Sequence, residues 1–340
     1  MMIGINGNEA NVAHRVGVGQ YAFELLSHFS NKDIIVYLKD LPRNDMPKLN
    51  YDVFGPKKLW TLIGLQKKLL TNPPDVLFTP THYAPLFLPV PLVISIMDLA
   101  FEKFPQYFKA KDLYQLKYWS RLSAMQARKI ITISENSKKD IMEIYNIPGE
   151  KIVVTYPGYD KDRFNTKVKK STKYGEYFLF LGTLQPRKNV ERLIQAFKLL
   201  KTDCKLVIVG MINEGRGGWM NENIKNEKNI VLTGYLPDSE IPGLYAGAKA
   251  FVLPSLYEGF GIPAIEAMAC GTPVVVSRVS CLPEICGDAA FYIDDPYSVE
   301  SIRSALESVN TGKVKFGLEW VNRYNWEETC LKTNTVLNSV

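Results

Sequence analysis

Two carboxylates eight positions apart stand out in a glycine-containing stretch, Pro254-Ser255-Leu256-Tyr257-Glu258-Gly259-Phe260-Gly261-Ile262-Pro263-Ala264-Ile265-Glu266. An apolar run, Ala250–Leu253, leads into it, and a helical pattern begins at Ile262 with Pro263 in the first turn, where a missing N–H costs nothing. A loop of this kind leaves backbone N–H groups at a helix N-terminus, which suits a phosphate or sugar hydroxyls. Gly259 and Gly261 permit close approach of a ligand to the backbone, flanked by Phe260 and Ile262. Glu258 in the loop and Glu266 about one helical turn past Ile262 can flank one ligand and accept paired hydroxyls. The same spacing also fits a plain strand-turn-helix with two surface glutamates. Arg187 and Lys188 lie between an apolar run, Tyr177–Leu181, and the helical stretch Asn189–Lys201. Two fixed cations there can hold a diphosphate and stabilise the charge it acquires on leaving; the plainer reading is a solvated helix entry.

The N-terminal half offers fewer such groups. His14-Arg15-Val16-Gly17-Val18-Gly19-Gln20-Tyr21 follows the first apolar run and opens a helix reaching Ser30. Ala22 leaves the dinucleotide fingerprint G-x-G-x-x-G incomplete, which argues against a nicotinamide enzyme. Thr81-His82-Tyr83-Ala84-Pro85 lies just past a strand ending at Thr79, and open α/β sheets bind ligands at such carboxyl ends. Asp98 follows the next run and reads either as a group near an acceptor or as a helix cap. His82 reads equally as a structural histidine.

These groups need elements to hold them. Strand candidates are Met2–Asn6, Asp33–Leu38, Asp75–Thr79, Leu92–Met97, Lys129–Ile133 and Lys151–Tyr156, then Tyr177–Leu181, Lys205–Val209, Ile230–Thr233, Ala250–Leu253 and Pro273–Val276. They are continuous apolar runs, as expected of parallel strands covered on both faces. Helical stretches alternate with them, including Asn189–Lys201 with its apolar period, Ile262–Cys270, Ser298–Val309 and a helix capped by Ser134. The pattern predicts an α/β fold of two Rossmann-like, doubly wound domains. The polar stretch Pro157–Lys173 marks the junction, giving domains at 1–165 and 166–315 and a helical segment at 316–340. Lys109–Lys129 interleaves cations with Leu113, Tyr114, Leu116, Tyr118, Trp119 and Leu122. It reads first as a core-packing helix with snorkelling lysines, and second as a peripheral membrane face.

The 340 residues suffice for two cores, and a net charge of +6 suits phosphate-bearing ligands or an anionic surface without calling for nucleic acid. Five cysteines with no C-x-x-C pair and three histidines suggest reduced thiols and no zinc site. Without a signal-like N-terminus or a spanning apolar run, the expectation is a cytoplasmic protein whose membrane contact, if any, is peripheral.

The segment 254–266, continued by Ala267-Met268-Ala269-Cys270-Gly271-Thr272-Pro273 and Leu282-Pro283-Glu284-Ile285-Cys286-Gly287-Asp288, resembles the E-x7-E region of family 4 retaining glycosyltransferases with the GT-B fold. Leu181-Gly182-Thr183-Leu184-Gln185-Pro186-Arg187-Lys188-Asn189 is similar to that family's G-x-x-x-P-R-K-N loop, and the match covers most of 177–310. The resemblance implies two facing domains, with the acceptor mainly on the first, the donor on the second, and a final helix crossing back. It implies that Glu266 holds the donor ribose, Glu258 faces the transferred sugar, and Arg187 and Lys188 bind the diphosphate without a metal or other cofactor. Gly17 and Gly19 then belong to the cleft lip. Where relatives usually have a histidine that approaches the sugar, this chain has Met97, leaving His82 or an apolar contact in its place. The blocks look most like mannosyltransferases of polysaccharide assembly. GDP-mannose is therefore the first expected donor, UDP-hexoses the second, and a saccharide or lipid-linked molecule the acceptor. The alternatives are a non-catalytic nucleotide-sugar binder and a sugar-nucleotide epimerase.

Overall fold

The structure is a computed structural model that describes residues 1–29, 33–210 and 227–340. Ser30, the expected end of the first helix, lies outside the described residues. The chain divides into two compact units, one formed by Met1–Lys103, Ala110–Gly158 and Asn325–Val340, the other by Phe104–Lys109 and Tyr159–Tyr324.

The first unit holds seven parallel strands: β1 (Ile3–Asn6), β2 (Ile34–Leu38), β3 (Asn50–Val53), β4 (Val76–Thr79), β5 (Leu92–Ser95), β6 (Lys129–Thr132) and β7 (Ile152–Val154). Their order is β3-β2-β1-β4-β5-β6-β7, so the chain reverses its winding between β1 and β4. Its helices are α1 (Val18–His28), α2 (Gln66–Thr71), α3 (Ala100–Lys103), α4 (Ala110–Gln126) and α5 (Glu135–Tyr145). The central strands β1, β4 and β5 are buried along their whole length, which is why they read as unbroken apolar runs. β3 was not expected: Asn50-Tyr51-Asp52-Val53 is a half-exposed edge strand, and its polar residues conceal it. Ser134 caps α5 as expected, accepting a hydrogen bond from the Ser137 N–H at 3.0 Å.

Among the described residues the second unit repeats the design with six parallel strands: β8 (Tyr177–Leu181), β9 (Lys205–Val209), β10 (Ile230–Gly234), β11 (Ala250–Leu253), β12 (Val274–Ser277) and β13 (Ala290–Ile293). Their order is β10-β9-β8-β11-β12-β13, and the winding reverses between β8 and β11. Its helices are α6 (Val190–Lys198), α7 (Ile241–Gly247), α8 (Ile262–Ala269), α9 (Leu282–Cys286), α10 (Val299–Glu307) and α11 (Val314–Trp320). Phe178, Phe180 and Val252 from the sheet pack with Leu193 and Phe197 of α6 and Ile302 of α10 in one core. All five cysteines are buried, and none is joined in a disulfide.

The C-terminal segment is not one helix. After α11 the chain turns at Val321–Arg323, and α12 (Trp326–Leu337) starts afresh at Asn325, whose side chain accepts the Glu328 N–H at 2.6 Å. Residues 316–324 stay with the second unit, whereas α12 packs on α1 in the first. The Trp326 ring meets Tyr21 edge-on at 5.9 Å, and the Thr329 hydroxyl donates to the Tyr156 carbonyl at 2.6 Å. The first unit's long segment ends at Gly158, earlier than the 165/166 junction read from composition.

Gly158 fixes that docking. A Cβ there would lie 2.3 Å from the Trp326 backbone nitrogen, an atom that cannot swing aside. Gly158→Ala should therefore destabilise the protein by about 2 kcal/mol or more, measured as a drop in denaturant midpoint. An unchanged midpoint would show that α12 docks loosely.

Candidate functional site

Ligands of open α/β sheets gather where the winding reverses. In the second unit that place lies between β8 and β11. The loop after β8 carries Arg187 and Lys188, and the loop after β11 carries Glu258. The topology therefore brings together three residues that lie about 70 positions apart in the chain. Lys188 Nζ donates to Glu258 Oε1 at 2.6 Å, and Arg187 Nη1 donates to Oε2 at 3.2 Å and to the Tyr257 carbonyl. The Ser255 hydroxyl adds a bond to Oε1 at 2.5 Å.

The carboxylate is thus held from both sides, and only 7% of the residue is exposed. Burial alone would raise its pKa. The charges of Lys188 and Arg187, with the bonds from Lys188 and Ser255, overcome that and hold it at about 2. Glu258 is an anion at every working pH.

Neighbouring bonds lock the two loops. The Asn189 side chain donates to the carbonyls of Pro254 (3.0 Å) and Pro296 (2.6 Å), tying the cation loop to the carboxylate loop. Asn189 itself adopts φ 59, a left-handed conformation that asparagine tolerates. The Glu258 N–H donates to Ser280 Oγ at 3.0 Å, and Cys281 Sγ donates to the carbonyls of Glu258 and Phe260, both at 3.2 Å. Asn189 closes one motif block, whereas Ser280 and Cys281 fall between two blocks, and none of the three was singled out. Nothing about their residue types marks them as loop fasteners.

The remaining residues of the loop divide between geometry and packing. Gly261 sits at φ 102 ahead of α8, and a Cβ there would come within 2.9 Å of Leu282. The Phe260 ring is buried and meets Tyr324 edge-on at 5.4 Å. Gly259 is buried and Ile262 half-buried beside it.

Glu266, on α8, lies in a different environment. It is half-buried and accepts the Tyr245 hydroxyl at 3.1 Å. Burial raises its pKa to about 7. The Tyr245 bond and the charge of Arg163 oppose that rise, while Asp238 and Asp160 add to it. Tyr245 and Arg163 carried no signal in the sequence. The two glutamates of the eight-residue spacing are therefore electrostatic opposites, one a fixed anion and the other titrating near neutrality.

The first unit's candidates cluster at the carboxyl edge of its sheet. Thr79 of β4 pairs with Ile94 of β5, so His82 and Met97 each follow three residues past that pair on adjacent strands. His82 is buried beside Phe101, and its Nδ1 has no hydrogen-bond partner. Burial lowers its pKa, with the Asp98 charge opposing, so the ring is neutral. Met97 is buried too. Asp98 accepts the Ala100 N–H at 2.9 Å, which is the helix-cap reading. Gly17 has φ 52 at the start of α1, and a Cβ on Gly19 would strike the Glu9 carbonyl oxygen at 2.8 Å.

Comparison with known proteins agrees with this architecture. Residues 16–163 match Glycosyltransferase Family 4 and residues 160–318 match Glycosyl transferases group 1. The chain is 32% identical over 262 residues to O-antigen chain mannosyltransferase B of Escherichia coli, covering 71% of this chain and 68% of that one. It is 30% identical over 242 residues to O-antigen chain mannosyltransferase RfbU of Salmonella typhimurium, covering 69% of this chain and 65% of that protein. It is 28% identical to the serotype-specific mannosyltransferase WbdA of Escherichia coli, matching only 27% of that longer protein. The Anabaena protein Alr3699/HepE in complex with UDP and glucose superposes with TM-score 0.76 at 18% identity, over 100% of both chains. WaaG, a glycosyltransferase involved in lipopolysaccharide biosynthesis, gives 0.72 at 18% identity over 99% of each. Two Rossmann-like units of this kind define the GT-B fold. The chain belongs to the family 4, group 1 glycosyltransferases and is a hexosyltransferase.

The depressed pKa of Glu258 has a consequence for stability. Its ionised form is favoured by folding, so the contribution is fully present above the unfolded pKa near 4.5 and is lost as pH falls toward about 2. The shift corresponds to about 3 kcal/mol. Denaturant titrations should find Glu258→Gln less stable than wild type at pH 6 by about that amount, with the gap closing as pH falls from about 4.5 toward about 2, the window set by the same linkage. A gap that stays constant with pH would mean that Glu258 is not ion-paired.

Proposed function

We propose that this glycosyltransferase moves mannose from GDP-mannose to a saccharide or lipid-linked acceptor, with retention of configuration and without a bound metal. The observation that carries the reading is the Arg187–Lys188–Glu258 cluster at the switch point, with Glu266 one helical turn into α8. Two cations placed at the carboxyl end of a parallel sheet, where the winding reverses, suit a nucleoside diphosphate. Arg187 and Lys188 hold the β-phosphate, and Glu258 fixes the direction of both cations rather than reacting itself. Both of its oxygens accept bonds from protein donors, so it makes a poor nucleophile.

A front-side displacement follows. The bond from the sugar's anomeric carbon to the phosphate oxygen breaks, with its electron pair leaving on the diphosphate. The acceptor oxygen bonds to the same face, and its proton passes to the departing phosphate oxygen. Preorganised cations favour this step because charge grows on the diphosphate as the bond opens. Ionised Glu266 accepts the ribose hydroxyls. Mannose is preferred because the names of the bacterial relatives above specify it, and their O-antigen products support a saccharide or lipid-linked acceptor. Buried Met97 and neutral His82 then border the acceptor side.

Two measurements test this. GDP-mannose at about 100 times its Kd, with a chelator present, should raise unfolding stability by about 2.7 kcal/mol, while UDP-glucose at the same concentration should not. Protection by UDP-glucose alone, or by GDP-mannose only with Mg2+, would refute the donor assignment. Because Glu266 titrates at about 7, nucleotide binding at pH 7 should release about half a proton, read by calorimetry in buffers of different ionisation enthalpy. Glu266→Gln should abolish the release. A proton release that persists in Glu266→Gln would place the ribose contact elsewhere.

A further inference from the structure

The chain links that cross the first sheet leave an unusual surface. β3 to β4 and β5 to β6 run in the same direction across the sheet, so right-handed crossovers put α2 and α4 on one face, opposite α1. The link between β4 and β5 joins the two helices. The Trp119 indole of α4 donates to the Ala84 carbonyl at 2.7 Å, and Gln66 of α2 exchanges two hydrogen bonds with the Phe87 backbone, at 2.5 and 3.0 Å.

The outer side of this layer is apolar where a soluble face would be polar. Around the Gln66 clamp, Phe87 is 74% exposed, Leu59 64% and Ile63 51%. Leu59 also holds φ 52, in the left-handed region that a leucine rarely enters. On α4 the exposed large apolar side chains are Tyr114, Tyr118, Leu122 and Met125, spaced at three and four residues along one stripe, with the Tyr114 and Tyr118 rings tilted against each other at 4.5 Å. The buried side of α4 is lined instead by small residues such as Ser120, Ser123 and Ala124. The core-packing reading of this helix thus accounts for Leu113, Leu116 and Trp119, and fails for Tyr114, Tyr118 and Leu122.

The exposed charges on the layer are of one sign, the half-buried Asp112 being the acid of α4. Lys58 and Lys67 beside α2, and Lys111, Arg121 and Arg128 on or just after α4, are all exposed, and residues 57–71 and 110–128 contain no exposed acid. No described helix is long and apolar enough to cross a membrane. We propose that this layer is a peripheral docking face for an anionic lipid bilayer, with the apolar side chains inserted at the headgroup boundary and the cations on the lipid phosphates. Nucleic acid would use the cations but leave Phe87, Ile63, Leu122 and Met125 in water. A second copy would set five cations against five. The proposal does not depend on which sugar is transferred, and its readout is binding rather than transfer.

The test is co-sedimentation of the full chain with vesicles of phosphatidylcholine alone or containing phosphatidylglycerol. Binding should require phosphatidylglycerol and weaken with added salt as charges are screened. Reversing three cations (Lys58→Glu, Lys111→Glu and Arg121→Glu together) should lower partitioning more than about tenfold, and Phe87→Ser with Leu122→Ser should do the same. Both variants should keep wild-type transfer to a soluble acceptor. Hydrogen exchange on the unmodified protein should show vesicle protection confined to 57–71, 83–88 and 111–128, a readout independent of any variant's folding. Equal binding to both vesicle types, no binding to either, or variants that bind like wild type would overturn the proposal. So would self-association abolished by the variants, or RNA binding that vesicles do not displace.

Discussion

The second unit is organised around one electrostatic constraint: two cations and one carboxylate must share a buried corner at the end of β8 and β11. Leaving either cation there without Glu258 would strand a charge away from water, at a cost of several kcal/mol. Leaving Glu258 without them would push its pKa up by burial rather than down to about 2. Each group is stabilised in place by the charge of its partners, with Ser255 and the Tyr257 carbonyl adding hydrogen bonds. The Asn189 bonds to Pro254 and Pro296, the Ser280 and Cys281 contacts and the tight turn at Gly261 all serve to hold the two loops in register for this cluster.

That constraint also explains how one loop pair can serve two chemically different glutamates. Glu258 sits where cations surround it, whereas Glu266, one helix turn into α8, faces a tyrosine hydroxyl and has acidic neighbours in Asp238 and Asp160. Sequence spacing treats the pair as equivalent. Environment makes one a permanently ionised partner of two cations and the other a carboxyl group that titrates near neutrality. The two units repeat one sheet design, but α12 binds across the chain's own order, returning from the second unit to α1 of the first through contacts that need Gly158 to have no side chain.

Much of this was legible in the residues, for physical reasons. Parallel strands buried on both faces leave continuous apolar runs, so β1, β8 and β11 were plain. β3 was hidden because its edge position tolerates Asn50 and Asp52, and β13 because its run is only the four residues Ala290–Ile293. The Arg187-Lys188 and Glu258 signals were visible as charge types beside strand ends. Their mutual engagement was not, since it depends on β8 and β11 being neighbours, a fact of strand order that local sequence does not contain. The exposure of Tyr114 and Tyr118 was equally hidden, because a helix with apolar residues all round does not reveal which side meets the sheet. The single break at Val321–Arg323 was masked by the aromatic content of the flanking segments, which kept the helical pattern continuous.

The central claim is that Glu258 acts through the cations rather than on the sugar. A double-mutant cycle on kcat/KM tests it directly, with Lys188→Met, Glu258→Gln and the two combined, measured with one donor and one acceptor. If the carboxylate works only by orienting Lys188 and Arg187, the combined variant should be little worse than Lys188→Met alone, so that the two losses are strongly non-additive. Losses that multiply in full would mean that Glu258 contacts the reacting sugar independently of Lys188, and its role as a counter-ion that only orients the cations would be contradicted.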